Sequence, residues 1–316
     1  MVVLVGLLVS VASGASAQSY PAGPVRMVVP FPPGGGVDGM GRVVAQKLTE
    51  NLGKSFVIEN RSGANGNIGT EAVAKAPKDG YTLLMTGAGL VTNPSLYAKT
   101  GYDPIKDFEP ISLLSVAPNV LVVHPSVPVK SVADLVALAK ARPGQLQFAG
   151  SGSGSTPHLA GELFNSVAKV RMVHVPYRGT GPAIIGILSG EISVMFMPAT
   201  NAVPLVKAGR VRGLAVTSAA RLPAVADLPT VAESGLKGYE SSQWYGVLAP
   251  SGTADEIVNA LNAQIAKIMH SADVRQRLGE EGVLPVGSTR SEFASHIKVE
   301  IAKWAKVIRQ SGARID

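Results

Sequence analysis

The sequence predicts an α/β protein of two lobes, each a β-sheet flanked by helices. Short β-rich runs alternate with helical patterns over most of the 316 residues, which is typical of α/β proteins. A chain of this length can form two lobes with separate cores. The hydrophobic fraction of 46% with 16% charged residues indicates a compact globular protein, and the 35 glycines and 22 prolines indicate many defined turns.

The N-terminal segment predicts export. An apolar run from Met1 to Ala12 ends in the small-residue triplet Ala15-Ser16-Ala17, which is typical of a signal peptide covering residues 1–17. A membrane anchor would need about 20 apolar residues, and this run is shorter. No Lys or Arg precedes Arg26, which leaves the true translation start open. We expect a periplasmic protein; it has no cysteine for a disulfide or a lipoprotein anchor.

The predicted elements follow from local patterns along the chain. Runs rich in β-branched residues predict strands at 26–29, 56–59, 82–85, 120–123, 145–149, 172–175, 193–197, 213–217 and 245–248. Amphipathic patterns predict helices at 37–52, 132–141, 158–168, 182–188, 202–207, 254–269 and 290–310. The last two helices have the clearest start signals, because Asp255 and Glu256 lie in the first turn of one and Thr289 precedes the other.

Two strands are expected to connect the lobes. The run 120–123 leads into the proline-rich connection 125–128 and a new strand–helix series, which the strand at 244–250 closes. We therefore expect domain 1 to consist of residues 18–120 plus 249–316 and domain 2 of residues 121–248. The hinge would lie near 120–125 and 244–250, and a chain that passes twice through a hinge suits a closing cleft.

Each lobe has a glycine-rich loop between a strand and a helix. The first loop runs from Phe31 to Asp38, and the second runs from Gly150 to Pro157, just before His158. Such loops expose unpaired N–H groups at a helix end that carries about half a positive charge, so they can hold a carboxylate or phosphate without a lysine. The alternative is that the glycines only form tight turns. One such loop in each half favours a small anion held between the lobes.

Composition argues against a polymeric partner. The formal charge of +7 favours anionic partners, but Lys and Arg are scattered singly and only 5% of the residues are aromatic. The basic stripes and stacking platforms of nucleic-acid-binding proteins are therefore missing from the sequence.

A dinucleotide site is disfavoured although its motif is present. Gly34, Gly36 and Gly39 match the G-x-G-x-x-G fingerprint, and Glu59 stands where a ribose-binding acid is expected. Pro32 and Pro33 intervene between the strand and these glycines, where they fix the backbone and remove donors. A nicotinamide cofactor is also not expected outside the cytoplasm, so we expect no cofactor.

Other catalytic sites are equally unsupported. The serine-rich loop contains no G-x-S-x-G elbow, and His158 is interpreted as orienting the loop or a ligand rather than as a catalytic base. The histidines show no paired metal-ligand spacing, and there are no cysteines. We therefore expect neither a metal site nor an enzyme.

Several segments, in order along the chain, have a more specific pattern. They are Tyr20-Pro21, Val28-Val29-Pro30-Phe31-Pro32-Pro33-Gly34-Gly35-Gly36-Val37-Asp38, Glu59-Asn60-Arg61-Ser62-Gly63-Ala64-Asn65-Gly66-Asn67-Ile68-Gly69, Pro77-Lys78-Asp79-Gly80-Tyr81-Thr82-Leu83-Leu84, Ser155-Thr156-Pro157-His158-Leu159-Ala160-Gly161-Glu162 and Val175-Pro176-Tyr177-Arg178-Gly179-Thr180-Gly181-Pro182-Ala183. This pattern resembles the Bug proteins, the substrate-binding receptors of tripartite tricarboxylate transporters (TctC-like). The resemblance covers nearly everything after the predicted signal peptide.

The resemblance implies a two-domain periplasmic binding protein with a type II-like Venus-flytrap cleft. Such a receptor captures a small carboxylate and delivers it to the membrane permease subunits, without a cofactor; we expect a monomer. The implied ligand-binding residues are Phe31, Pro32, Pro33, Gly34, Gly35, Asp38, Thr86, Gly87, Ser151, Ser153, Ser155, Thr156, His158, Arg178, Gly179, Thr180, Pro198, Ala199 and Thr200. A co-receptor for a signalling kinase, or an exported enzyme acting on a small acid, are the alternatives.

Some of these residues have a second interpretation. Asp38 cannot itself attract a carboxylate, so it would cap the helix or accept bonds from loop amides. Arg178 would pair with an anionic ligand or brace the lobes through a structural carboxylate. Phe31 would cover the apolar body of a ligand. Small loop residues leave room for an aromatic or short aliphatic dicarboxylate rather than a bulky tricarboxylate.

Overall fold

A computed structural model describes residues 20–312, and the predicted signal peptide lies outside this range. The described chain alternates strands and helices, as the sequence predicts. In chain order the elements are β1 (Val25–Val29), α1 (Gly36–Leu52), β2 (Phe56–Asn60), α2 (Asn67–Ala74), β3 (Thr82–Gly87), α3 (Gly89–Leu96), β4 (Phe108–Val123), α4 (Val132–Ala141), β5 (Gln147–Gly150), α5 (Thr156–Ala168), β6 (Val173–Pro176), α6 (Thr180–Leu188), β7 (Val194–Pro198), α7 (Ala199–Lys207), β8 (Arg212–Val216), β9 (Ser242–Pro250), α8 (Asp255–Met269), α9 (Ala272–Glu280), β10 (Leu284–Pro285) and α10 (Arg290–Ser311). Short 3₁₀ turns lie at Ala64–Gly66 and Pro223–Val225.

The strands form two sheets that share β4. The first sheet has the order β2-β1-β3-β9-β4-β10, in which β1 runs parallel to β2 and β3, and β9 runs antiparallel to β3 and β4. The second sheet has the order β8-β4-β7-β5-β6, in which β5 runs parallel to β6 and β7. Each sheet therefore has a parallel part whose strands lead directly into helices.

Strand β4 changes sheets within its own length. It pairs with β9 from Phe108 to Pro118, and it pairs with β7 from Asn119 to Val123. The sequence predicts only residues 120–123 as a strand, because Pro110 and Pro118 interrupt the pattern. The structure accommodates Pro110 where the register with β9 shifts, so the strand begins much earlier than predicted. Where a hinge lies between the two sheets stays a prediction.

The C-terminal helix connects the two halves of the molecule. Helix α10 packs against α3, which follows the first sheet, and against α5, which follows a strand of the second sheet. The Trp304 and Phe293 side chains of α10 are 1% and 0% exposed and belong to a core cluster that also contains Leu84 and Phe148. Burial of a large apolar side chain is worth about 1.5–3 kcal/mol, so these contacts stabilise α10 against both halves.

The ends of the helices follow the signals in the sequence. Thr289 and Glu292 form a reciprocal capping box at the start of α10. The helix begins at Arg290, as the sequence predicts. Helix α1 ends at Gly53, whose φ of 66° lies in the left-handed region that favours glycine. Helix α2, helix α3 and helix α9 were not predicted, and α3 contains Pro94.

Candidate functional site

A cavity of about 700 Å³ lies where both glycine-rich loops meet. The first turns of α1, α3 and α5, and the residue that caps α6, all contribute to its wall. The lining residues are Phe31, Pro32, Pro33, Gly34, Gly35, Gly36, Val37, Asn65, Ala88, Gly89, Thr92, Ser151, Gly154, Ser155, Thr156, Leu159, Gly179, Gln243 and Trp304. None of these residues carries a formal charge, so the helix ends are the electropositive feature of the wall.

The carboxylate of Asp38 holds the first loop in shape. One of its oxygens accepts hydrogen bonds from the Gly34 amide and from Arg42 Nε, both at 2.9 Å, and the other accepts from Asn60 Nδ2 at 2.9 Å. The hydrogen bond from Arg42 lowers the pKa of Asp38 to about 2, although burial opposes this shift. Asp38 therefore stays ionised, and its oxygens are bonded to the protein itself rather than directed into the cavity.

The loop that Asp38 holds presents free amides. Gly34 has a φ of 86°, which a residue with a Cβ adopts only with strain, and this turn brings Gly35 to the cap position of α1. Within residues 20–312, no group accepts a hydrogen bond from the amides of Gly35 and Gly36. A Cβ on Gly36 would collide with the Tyr245 hydroxyl, so glycine leaves room for this side chain of β9. These amides are available to an anion.

Phe31 forms an apolar side of the cavity. Its ring would lie 3.1 Å from a Cβ on Gly66 and 3.5 Å from a Cβ on Gly89, so small residues make room for it. Its backbone carbonyl accepts a hydrogen bond from Asn60 Nδ2 at 3.0 Å. The same Asn60 side chain also binds Asp38. Phe31 is therefore fixed next to the free amides of the first loop.

Asn65 closes the cavity on the side of Phe31. It has a left-handed backbone with φ of 53° and ψ of 35°, and its Nδ2 donates to Asn93 Oδ1 at 2.9 Å. Asn93 Nδ2 in turn donates to the Asn65 carbonyl at 2.9 Å and to Asn67 Oδ1 at 2.8 Å. The buried Asn93 thus holds Asn65 in position. Asn65 was not among the site residues predicted from the sequence.

The second loop is organised by His158. Its Nδ1 accepts a hydrogen bond from the Gly154 amide at 3.0 Å, while Ser155 Oγ donates to the Gly152 carbonyl at 2.7 Å. The His158 and His174 rings stack with centroids 3.7 Å apart. Burial lowers the pKa of His158 to about 3, with a smaller contribution from His174, and burial lowers the pKa of His174 to about 4. Both rings are therefore neutral at pH 7, and His158 can act as the acceptor for the loop.

A hydrogen bond joins the second loop to β9 across the cavity floor. Thr156 Oγ1 donates to Gln243 Oε1 at 2.7 Å, and Gln243 Nε2 donates to the Trp244 carbonyl at 3.3 Å. Thr156 begins α5, which follows the second sheet, whereas Gln243 pairs with Ala117 in the first sheet. The bond therefore links the two halves of the molecule beside the main cavity.

A smaller chamber of about 280 Å³ shares four lining residues with the cavity, namely Ser151, Ser155, Thr156 and Gln243. We call it the second chamber. Its other lining residues are Ala117, Pro118, Asn119, Pro157, Pro198, Ala199, Thr200, Tyr245, Gly282 and Val283. Pro198, Ala199 and Thr200, which the resemblance implies as site residues, therefore lie in this chamber.

The predicted residues divide into those that line these spaces and those that do not. Phe31, Pro32, Pro33, Gly34, Gly35, Ser151, Ser155, Thr156 and Gly179 line the main cavity, and Pro198, Ala199 and Thr200 line the second chamber. Asp38 and His158 lie behind the loops as supports, and Thr86 and Gly87 are buried in β3 opposite Gly246 and Tyr245. Ser153, Arg178 and Thr180 line neither space, and Arg178 is exposed with no ion pair among the described residues. Their part in ligand binding stays a prediction.

The lining also contains polar side chains that sequence reasoning missed. Asn65, Thr92 and Gln243 face the main cavity, and Asn119 faces the second chamber. Of the loop 86–89, which was predicted to complete the wall, Ala88 and Gly89 line the main cavity, whereas β3 continues as far as Gly87. In the described part of the chain, no group of three or more acidic, histidine or cysteine side chains is placed to hold a metal ion. None of the helices from residue 20 to 312 is long and apolar enough to cross a membrane.

Comparison with known proteins assigns the fold and the family. The sequence pattern of the "Tripartite tricarboxylate transporter family receptor" matches residues 40–313. Protein BugT of Bordetella pertussis is 37% identical over 320 residues, which cover 100% of this chain and 98% of BugT. The solved structure of R. palustris Rpa4515 with adipate is 42% identical with a TM-score of 0.79, and the match covers 94% of this chain and 100% of that one.

A second solved structure agrees with this result. MatC from Rhodopseudomonas palustris, with bound malate, is 33% identical with a TM-score of 0.75, over 92% of this chain and 100% of MatC. The two sheets that share β4 agree with the two-lobe fold of periplasmic binding proteins, and the predicted fold class is confirmed. The chain belongs to the receptor family of the tripartite tricarboxylate transporters.

Proposed function

We propose that the protein is an extracytoplasmic solute-binding protein that captures a small carboxylate between its lobes and delivers it to a tripartite tricarboxylate-type permease. The observation that carries this proposal is the meeting of several helix starts on one uncharged cavity. A carboxylate gains hydrogen bonds from free amides and a favourable interaction with each helix dipole at such a place. The predicted signal peptide supports a periplasmic location, and we expect a monomer.

The lining favours a dicarboxylate. The main cavity holds free amides on the first loop, whereas Phe31, Leu159 and Trp304 contribute apolar surface. Polar groups at fixed points with apolar walls between them suit a molecule with charged ends and an apolar body. The solved relatives that hold adipate and malate support this class of ligand. Among such acids we favour an aromatic or short aliphatic dicarboxylate over a tricarboxylate.

The proposed mechanism is closure of the lobes around the ligand. Domain 1 would comprise residues 18–120 plus 249–316 and domain 2 residues 121–248, with the hinge near 120–125 and 244–250. An acid that contacts both loops binds the closed form more tightly, and it shifts the population by that difference in affinity. The Thr156–Gln243 hydrogen bond, which joins the second loop to β9 in the first sheet, supports a cleft that closes between the two sheets. The permease would then recognise the closed form.

A thermal-shift screen of the purified protein tests the proposal. The panel contains adipate, malate, phthalate, citrate and NAD, with adipamide as the uncharged control for adipate. A ligand present at a hundred times its dissociation constant adds about 2.7 kcal/mol to the free energy of unfolding, which raises the melting temperature measurably. We expect a shift with at least one dicarboxylate and none with adipamide.

The opposite results are equally informative. A panel in which no acid shifts the melting temperature would contradict carboxylate binding, and a shift with NAD alone would restore the dinucleotide interpretation of the first loop. Recovery of the bound acid after denaturation separates a receptor from an enzyme. A receptor returns the acid unchanged, whereas an enzyme returns a product.

A further inference from the structure

We propose that Trp304 is the specificity-determining end wall of the main cavity, against which the aliphatic body of a dicarboxylate packs and a further carboxylate is rejected. This inference rests on the function proposed above and names the residue that excludes a tricarboxylate. Glu300 and Lys303 act through the indole ring of Trp304, so they are positioning residues.

Burial separates the two ends of the main cavity. Residues 32–36 of the first loop line the cavity and are exposed, so this loop forms its mouth. Thr92, Leu159 and Trp304 also line the cavity, but they are only 3%, 2% and 1% exposed. They belong to α3, α5 and α10, and α10 packs against both of the other helices. The cavity therefore narrows to an inner end between these three helices.

The indole ring offers this inner end no hydrogen-bond donor. Trp304 Nε1 donates to Glu300 Oε2 at 2.8 Å, so the only polar atom of the side chain is already bonded. Leu159 is apolar, which leaves the hydroxyl of Thr92 as the one polar side-chain group among the three. A carboxylate placed there loses its hydration without gaining the donors that it needs, whereas an aliphatic group gains from leaving water.

Glu300 and Lys303 hold the ring in position. Glu300 is 4% exposed and forms an ion pair with Lys303. Lys303 Nζ lies 5.0 Å from the centroid of the Trp304 ring, and it donates to the Glu240 carbonyl, just before β9, at 3.2 Å. A buried carboxylate is tolerated when it is paired, so the two residues act as a unit. Glu300 also places a negative charge next to the ring, which adds to the rejection of a further carboxylate.

The test uses three acids that differ at one position. Adipate, 3-methyladipate and butane-1,2,4-tricarboxylate carry a hydrogen, a methyl group or a carboxylate on the third carbon of the same chain. Calorimetry measures their binding to the wild type, to Trp304→Phe and to Glu300→Gln. We expect the wild type to bind 3-methyladipate at least as tightly as adipate, and the tricarboxylate about 10-fold more weakly or worse.

The two variants separate the size of the wall from the charge beside it. Trp304→Phe leaves more space at the inner end, so the affinity for 3-methyladipate relative to adipate is expected to rise about 3-fold. Glu300→Gln keeps an acceptor for the indole N–H and removes the negative charge. The tricarboxylate is therefore expected to gain about 3-fold relative to adipate, and added salt reduces this gain. A purely structural role would weaken all three acids alike.

The melting temperature of each variant reports its folding. Equal changes for all three acids in variants that melt like the wild type would overturn the proposal. If the variants unfold, the wild type still decides, because equal affinity for adipate and the tricarboxylate would also overturn it. Binding of other acids from the thermal-shift panel without any of these three would show that the inner end takes no aliphatic body. Failure with every acid would instead overturn the proposed function.

Discussion

Replacement of Gly35 by proline removes one donor from the first loop and leaves the folded state intact. Gly35 has a φ of −79°, which proline adopts, and the nearest atom to an added Cβ is the Pro32 carbonyl oxygen at 3.9 Å. The Gly35 amide has no partner in the described structure, so its loss breaks no internal hydrogen bond. At a compatible position proline stabilises by about 0.4–1 kcal/mol through the unfolded state.

The expected loss of binding follows from the role of this amide. A hydrogen bond to a charged group contributes about 1.5–3 kcal/mol to binding. Its loss therefore corresponds to a dissociation constant that is about 10- to 150-fold larger. Calorimetric titration with the strongest acid from the thermal-shift screen measures this change. Gly35→Ala is the matched control, because it adds a side-chain carbon and keeps the amide N–H.

Two results would refute the reasoning. Wild-type affinity in Gly35→Pro would mean that this amide does not contact the ligand. An equal loss in Gly35→Ala would mean that space beside the loop, rather than the donor, limits binding. In both cases the melting temperature is expected to stay at or above the wild-type value.

Further predictions concern the supports of the two loops. Asp38→Asn removes the charge that binds Arg42, and we expect a loss of about 1–3 kcal/mol in the free energy of unfolding measured with urea; an unchanged midpoint would contradict it. Because the pKa of Asp38 is lowered to about 2, its stabilising contribution is present above its ordinary pKa of 3.8 and disappears only as pH falls towards 2. His158 and His174 have lowered pKa values of about 3 and about 4, against the ordinary 6.5, so the unfolded chain takes up protons that the folded chain does not. Their contribution to stability is therefore complete above pH 6.5 and is lost as pH falls towards 4, by about 1.4 kcal/mol per pH unit for each histidine. Urea denaturation across this range is expected to show a shallower dependence for His174→Phe, and a curve parallel to that of the wild type would reject the assignment. Gly36→Ala forces its new methyl group against the tyrosine hydroxyl of β9, and we expect a loss of about 1–3 kcal/mol with weaker ligand binding; a wild-type melting temperature would show that the strand can yield.

Much of the fold could be predicted because its signals are local. The start of α10 follows from Thr289 and Glu292, which cap the helix through bonds within one turn. The early part of β4 could not be predicted, since Pro110 is compatible with a strand only where the register with β9 shifts. Helix α3 begins with Gly89 and contains Pro94, so its sequence argues against a helix and only tertiary packing explains it.

The candidate site could be predicted to the extent that it consists of loops. Gly35 and Ser155 lie in segments whose composition alone indicates exposed amides next to a helix start. Gln243 and Trp304 come from β9 and α10, far away in the chain, and nothing near them in the sequence indicates a cavity. Asn119 lies in β4 together with the polar Ser112 and Ser115, so the sequence does not show that it lines a chamber.

The arrangement of β4 and β9 has a consequence for the order of folding. The second sheet uses residues 119–216, a continuous stretch that contains all its own pairing partners. In the first sheet β9 lies between β3 and β4, so the central pairing of that sheet waits until residue 250 of the chain is available. Such long-range pairing forms late, because the loop that it closes costs entropy before any contact is gained. The lobe at the middle of the chain can therefore fold first, and the ligand cavity is completed only by the last part of the polypeptide.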